Sequence, residues 1–241
     1  PPGPAPPTTS GRFVKAVVEQ VSSSIDSKHV TYRLYADLIG NAKTMYAITG
    51  STKASMVIPP ADQTAQKGSD IGGVSAELIK SNAKLQYDSW LSVGLHDGSQ
   101  GLAAVKMKDD LKDWSPTTGI NCADCSVMWK DPAKTTALAG KGKVIVAQLT
   151  VASTYYGNVQ MGMAGMTTSE SQAHVHDDLK QRWSEDKIVF SIGRAPGQPK
   201  FISGGDWKQA NVAFYRHSQN KHPIKLDQYR CRCKKGYANG M

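Results

Sequence analysis

The clearest hydrophobic pattern in the chain is HVTYRLYADLIG, where Val30, Tyr32, Leu34, Ala36 and Leu38 alternate with Thr31, Arg33, Tyr35 and Asp37. A period of two predicts a strand with one buried and one wet face. TMYAITG follows after the polar Gly40-Asn41, which predicts a hairpin between the two. SMVIPP is a further short strand, stopped by Pro59-Pro60, whereas RFVKAVVEQVSSS alternates loosely and suits either a strand or a short helix. Strand signals return in LQYDSWLSVGLHDG, AAVKM, KVIVAQLTVAS, YYGNVQMGMAGMT, DKIVFSIG and NVAFYRH.

Between these runs lie long polar stretches. Residues 61–83 are rich in Gly, Ser, Asp and Lys, and VSAELIKS within them is the main helix candidate. Residues 109–142 read as irregular. Many short strands separated by Gly, Pro, Asn and Asp turns, with little amphipathic helix, predict an all-β fold, a β-sandwich or jelly-roll-like domain with long loops. No internal repeat is visible. The opening PPGPAPPTTSG cannot form a helix or an internal strand, because proline lacks the donor a ladder needs, and it predicts an extended arm. Its Thr8, Thr9 and Ser10 beside prolines are candidates for O-glycosylation, while no Asn-x-Ser/Thr sequon occurs. A plain flexible linker is the simpler reading of the same residues.

The expected organisation is an arm over 1–11, a sandwich body over 12–215 with 12–29 as a candidate assembly strand, and a basic cysteine-containing tail over 216–241. Composition fits this: 39% hydrophobic and 20% charged residues over 241 positions suit one globular body with tails. No apolar run reaches the ~18 residues a membrane helix needs. The chain starts at Pro1 without a signal-peptide pattern and reads as a processed or partial chain. The net charge of +9 changes the picture little, because lysines are scattered. Only Arg216, Lys221, Lys225, Arg230, Arg232, Lys234 and Lys235 form a concentrated basic region. Nucleic acid is therefore not the expected partner; an anionic polysaccharide or an acidic neighbouring subunit suits such a tail better.

The runs TYRLYADL, LQYDSWLSVGL, KVIVAQLTV, NVQMGMAG and IVFSIG, in this order from Val30 to Gly193, resemble a secreted domain repeated in extracellular proteins of aquatic microbes and algae. The matching positions are Tyr32 to Ala36, Asp88 to Trp90, Trp129 to Pro132 and Val146 to Thr150. The resemblance implies an extracellular, largely β module of surface or fibrous proteins, and it brings no active site.

The four cysteines fall in NCADC (Cys122, Cys125) and RCRC (Cys231, Cys233). Disulfides allow three connectivities, a C-x2-C knuckle with a distant second pair suits zinc, and free or redox thiols are the third reading. C-x-C is a poor bite for one tetrahedral ion, and the extracellular setting implied above favours disulfides. CRCKKGY resembles the C-terminal half of an EGF-like module, which implies either continuation into a larger cysteine-rich module or a tail stapled by Cys231 and Cys233 to Cys122 and Cys125. The balanced count favours the staple.

Other chemistry is thin. His174 and His176, beside Asp177 and Asp178, are weak metal candidates in a long polar run. Asp109 and Asp110 read as a hydrated turn rather than a glycosidase pair, and there is no G-x-S-x-G elbow, P-loop or dinucleotide fingerprint. No cofactor is expected. Trp114, Trp129, Tyr155, Tyr156 and Trp207 are candidate sugar platforms or core residues. The expected function is a non-enzymatic, disulfide-containing subunit of an extracellular fibril, carrying or binding glycans. It would polymerise head to tail with Phe13, Val14, Val17, Val18 and Val21 anchored in a neighbour. Alternatives are that this segment is the first strand of its own sandwich, that the protein is a secreted carbohydrate-binding module, or that it is a metalloprotein using His174 and His176.

Overall fold

The computed structural model describes residues 8–21, 25–64, 69–98, 101–131, 142–167 and 181–193. All of these belong to one compact unit spanning 1–196, outside which lie residues 197–241. The fold is an all-β sandwich of two antiparallel sheets. In chain order the strands are β1 (Val14–Gln20), β2 (His29–Leu38), β3 (Thr44–Gly50), β4 (Met56–Ile58), β5 (Trp90–Leu91), β6 (Leu102–Val105), β7 (Ile120–Cys122), β8 (Cys125–Trp129), β9 (Lys143–Ala152), β10 (Tyr156–Met166) and β11 (Arg182–Gly193). The small sheet runs β1-β2-β9-β5 and the large one β6-β8-β3-β10-β4-β7, with β11 on the free side of β10.

The alternation in β2 is realised from Arg33 to Asp37, where Leu34 and Ala36 are fully buried and Arg33, Tyr35 and Asp37 lie on the other face; Thr31, expected on the wet face, is fully buried and shares a hydroxyl bond with Thr150. The expected hairpin with TMYAITG does not form. β2 pairs with β1 and β9, whereas β3 pairs with β8 and β10 in the other sheet, so Gly40-Asn41 is the corner between sheets. Gly40 supplies the left-handed backbone (φ 63°) such a corner uses. A turn dipeptide marks a reversal but does not choose which sheet receives the next strand.

Strands β3 and β4 act as one interrupted strand opposite β10 on one side and opposite the interrupted pair β7 and β8 on the other. Their inward side chains, among them Ile48, Met56, Ile58, Val127 and Met163, meet Leu34, Ala36, Leu149 and Val151 of the small sheet in the main core. VSAELIKS holds a one-and-a-half-turn helix α1 (Ala76–Ser81), N-capped by Ser75, whose hydroxyl accepts from the Leu78 N–H. The stretch expected to be irregular contains α2 (Lys108–Asp113), β7 and β8, and LQYDSWLSV contributes a 3₁₀ turn (Ala83–Tyr87) and only the two residues of β5. The excursion between β4 and β6 covers the outer face of the small sheet, where Val74, Leu85, Trp90 and Ile145 form a second, smaller core. This explains why β9 is buried from Val144 to Val151 on both faces.

Charge divides the sheets. β1, β2 and β9 carry Lys15, Glu19, Arg33, Asp37 and Lys143, with Lys15 opposite Asp37 and Glu19 opposite Arg33 across the ladder. In the large sheet β3, β4, β6, β7, β8 and β10 contain no charged residue, although 20% of the chain is charged.

Candidate assembly site

The residues preceding β1 lie along the outer edge of β11. Thr9 donates its N–H to the Val189 carbonyl (2.9 Å), the Val189 N–H returns the bond at 3.4 Å, and the Ser191 N–H donates to Thr8 Oγ1 at 3.1 Å. This is one rung of antiparallel pairing by an extended segment. At Gly11 the chain turns off the edge towards β1, and a Cβ there would collide with the Glu185 carboxylate. That carboxylate accepts from the Phe13 N–H at 2.8 Å, and Ser10 Oγ accepts from the Ala16 N–H at 3.2 Å. Phe13 stacks on Trp183, ring centroids 5.7 Å apart and planes 25° from parallel, and Arg12 caps the stack 5.2 Å from the Phe13 centroid. Trp183 is buried and donates its indole N–H to the Thr44 (3.0 Å) and Met166 (3.1 Å) carbonyls.

The structure places the candidate anchors in and beside the chain's own first strand. Phe13 is half-buried against the chain's own core and Val14 is wholly buried within it. Val17 and Val18 pair with Tyr35 and Leu34, and the Val21 N–H donates to Thr31 (2.9 Å). This segment is the first strand of its own sandwich. Its alternate apolar positions Val14, Ala16 and Val18 find their complement in the chain's own core, while Val17 and Val21 are half-buried outside it. Thr8, Thr9 and Ser10 are exposed, with the Thr8 and Ser10 hydroxyls already accepting the bonds above.

Cys122 and Cys125 are joined to each other, Cα atoms 6.1 Å apart, within the span a disulfide bridges. β7 ends and β8 begins on them, and they face Met56 and Gly50 where β4 and β3 are interrupted. A Cβ on Gly50 would meet the Cys122 carbonyl, so glycine lets the bend close. The expected staple from Cys122 and Cys125 to the tail is thus not the pairing here, since the two are bonded to each other. Cys231 and Cys233 lie outside the described residues. Non-reducing tryptic mapping is expected to yield the peptide 113–130 intact and lighter by two hydrogens. A linkage between that peptide and one containing Cys231 or Cys233 is the contrary result.

Asp88, from the Asp-Ser-Trp run, is buried at 4% exposure and accepts from the Thr64 N–H (2.7 Å) and hydroxyl (2.9 Å). Loss of water pushes its pKa up to about 6, against the bonds from Thr64, Ser69 and Ser89 that favour the charged form. Burial also raises Asp70, to which Gln63 donates. Gln148 Nε2 donates to the carbonyls of Gln86 and Asp88, each 2.9 Å, and its Oε1 accepts from Arg33 Nε (2.9 Å). Ser89 Oγ accepts from the Thr150 N–H at 2.9 Å, and the Thr31 and Thr150 hydroxyls share a bond of 2.7 Å. Every buried side-chain nitrogen and oxygen among the described residues has a partner. This network ties the excursion onto the small sheet.

Trp114 and Trp129 are buried, their indoles donating to the Pro59 and Val93 carbonyls at 2.9 Å, so they are core residues rather than sugar platforms. Tyr155 and Tyr156 are half-buried. Asp109 and Asp110 sit in the first turn of α2 rather than in a turn between strands. His174, His176, Asp177, Asp178, Trp207 and the basic cluster from Arg216 to Lys235 lie outside the described residues. Among the described residues no group of three or more His, Cys, Asp or Glu gathers to hold a metal, and no helix is long and apolar enough to cross a membrane. No family model, curated protein or solved structure matches this chain.

Proposed function

We propose that the chain is a non-enzymatic structural subunit of an extracellular fibril that polymerises head to tail through its N-terminal arm. The observation that carries this reading is the pairing of Thr9 with Val189 on the edge of β11. That edge takes up an extended segment by main-chain hydrogen bonds, as in strand addition. Gly11 separates the segment from the body, and the same rung made onto β11 of a second molecule costs little, because every bond broken in one molecule is remade in the other. The contact is heterologous, arm to edge, so it extends into a filament when the rotation does not close. The exchanged residues in this reading are Thr8 to Ser10, the acceptor is the edge of β11, and Phe13 to Val21 stay with their own sandwich. The Cys122–Cys125 pair is compatible with an oxidising, extracellular setting.

Electron microscopy of the non-reduced full chain tests the reading. Regular filaments are expected, and Thr9→Pro, which removes the N–H that donates to Val189, is expected to disperse them without moving the unfolding midpoint. Monomers of the unaltered chain at every concentration, or filaments that survive Thr9→Pro, sink the arm mechanism.

A further inference from the structure

We infer that the outer face of the large sheet is a second, lateral contact, and that its occupant is the same face of another copy of this chain. Register assigns the face. Ile48, Val127 and Met163 point inward, so Thr49 on β3, Met128 on β8 and Ala164 on β10, each half-buried, alternate outward around Ala47, which is 4% exposed; Val57, opposite Gln160, does so on β4. Across β6, β8, β3, β4, β7 and β10 no outward position is charged. Arg182, Glu185, Asp186 and Lys187 occur only on β11, at one rim. Val57 and Val105, at 36% and 40% exposure, are two of the three large apolar side chains that the described residues leave exposed, and both belong to this face.

Charge selects the partner. The chain carries +9, and the part of the small sheet's outer side that the excursion leaves open, on β1, β2 and the start of β9, presents Lys15 and Lys143 with Glu19 and Asp37, so approach of two copies there sets charges against each other or strips them of water. Two uncharged faces meet at no such cost. Solvated sheets ordinarily suppress this association with charged side chains, and here that barrier is missing. Sheets stacked face to face lie about 10 Å apart with strands within about 30° of each other, and a two-fold axis makes the contact isologous. Four strands about 4.8 Å apart and about 20 Å long offer a plan area of roughly 400 Å². That is about half of what one partner gives to a standard interface, so the contact is weak alone and becomes effective when repeated along a polymer.

The contact is independent of the arm, and sedimentation velocity on the full chain carrying Thr9→Pro isolates it. A monomer–dimer equilibrium is expected, weakened on the order of a hundredfold by Thr49→Glu at the centre of the face, since like charges are then opposed across the two-fold. Lys15→Glu, on the other sheet, is expected to leave it unchanged. Mixing Thr49→Glu with Thr49→Lys is expected to restore a heterodimer, which a merely misfolded variant does not do. A strictly monomeric Thr9→Pro chain, a dimer indifferent to Thr49→Glu, or charged variants that stay monomeric on mixing and unfold at lower temperature each overturn the inference. The last means that the chain itself covers the face.

Discussion

Trp183→Ala is expected to cost about 3–5 kcal/mol of stability and to release the N-terminal arm. The side chain is 3% exposed, so its removal leaves a cavity in the main core. It also strips the indole donor from two carbonyls, those of Thr44 and Met166, and a buried acceptor left without a partner adds to the loss. Phe13 loses the ring it stacks on, and with it the packing that turns the chain from β11 into β1. Two measurements follow: a lower denaturant midpoint, and faster tryptic cleavage after the exposed Arg12 under native conditions. Trp183→Phe separates the contributions, because it keeps a ring for Phe13 while losing the donor and part of the buried volume. It is expected to lie between the two, with the arm cut as slowly as in the unaltered protein. An arm equally protected in Trp183→Ala would mean that Thr9 and Glu185 hold it without the stack.

The seat of the arm shows why this part was invisible in the sequence. Strand identity was legible wherever alternation was local: β2, β9, β10 and the second half of β11 lie where period-two runs or continuous apolar runs predict them. The sandwich class followed from their number and the lack of long helices. Glu185 and Trp183, by contrast, act on Phe13 from 172 and 170 positions away. RWSEDK carries no local signal that its carboxylate will accept a backbone N–H from the far end of the chain. Only the sheet order, which places β11 beside the first residues, creates the site. The same limit explains Phe13 to Val21. Their apolar character was plain, but whether β2 of the same molecule or a neighbour satisfies it depends on pairing, which composition does not encode. The closed Cys122–Cys125 pair is a similar case, because spacing of three residues is equally good for a turn, a metal knuckle or half of a longer bridge until β7 and β8 are known to bend against Gly50. The absence of charge from six strands, however, was readable residue by residue; it acquired meaning only once those strands lay side by side.

Stability is expected to fall as the pH rises from about 4 to about 6, a direction opposite to that of a protein held by ionised carboxylates. The cause is Asp88. Its pKa is raised from 3.8 in the unfolded chain to about 6 in the folded one. Within that window the folded protein binds more protons than the unfolded one, so the proton supports the fold below about pH 4 and that support is lost as pH climbs through about 6. Two pH units at about 1.4 kcal/mol each set the size at about 3 kcal/mol, with no further change from this group above the window. Asp70, raised by the same loss of water, adds in the same direction. Asp26 is lowered, chiefly by its bond with His29, and being exposed it acts only at the acid margin. Asp88→Asn keeps an oxygen to accept from the Thr64 N–H and a side chain of the same shape, but it cannot ionise. Denaturation at intervals between about pH 4 and pH 7 is expected to show the slope in the unaltered protein and its loss in the variant, which gains stability at neutral pH and not at pH 4. A variant that keeps the slope would move the origin to other carboxylates. A rise in stability across the window would mean that the bonds from Thr64, Ser69 and Ser89 outweigh the loss of water, making Asp88 a charged tie rather than a buried cost.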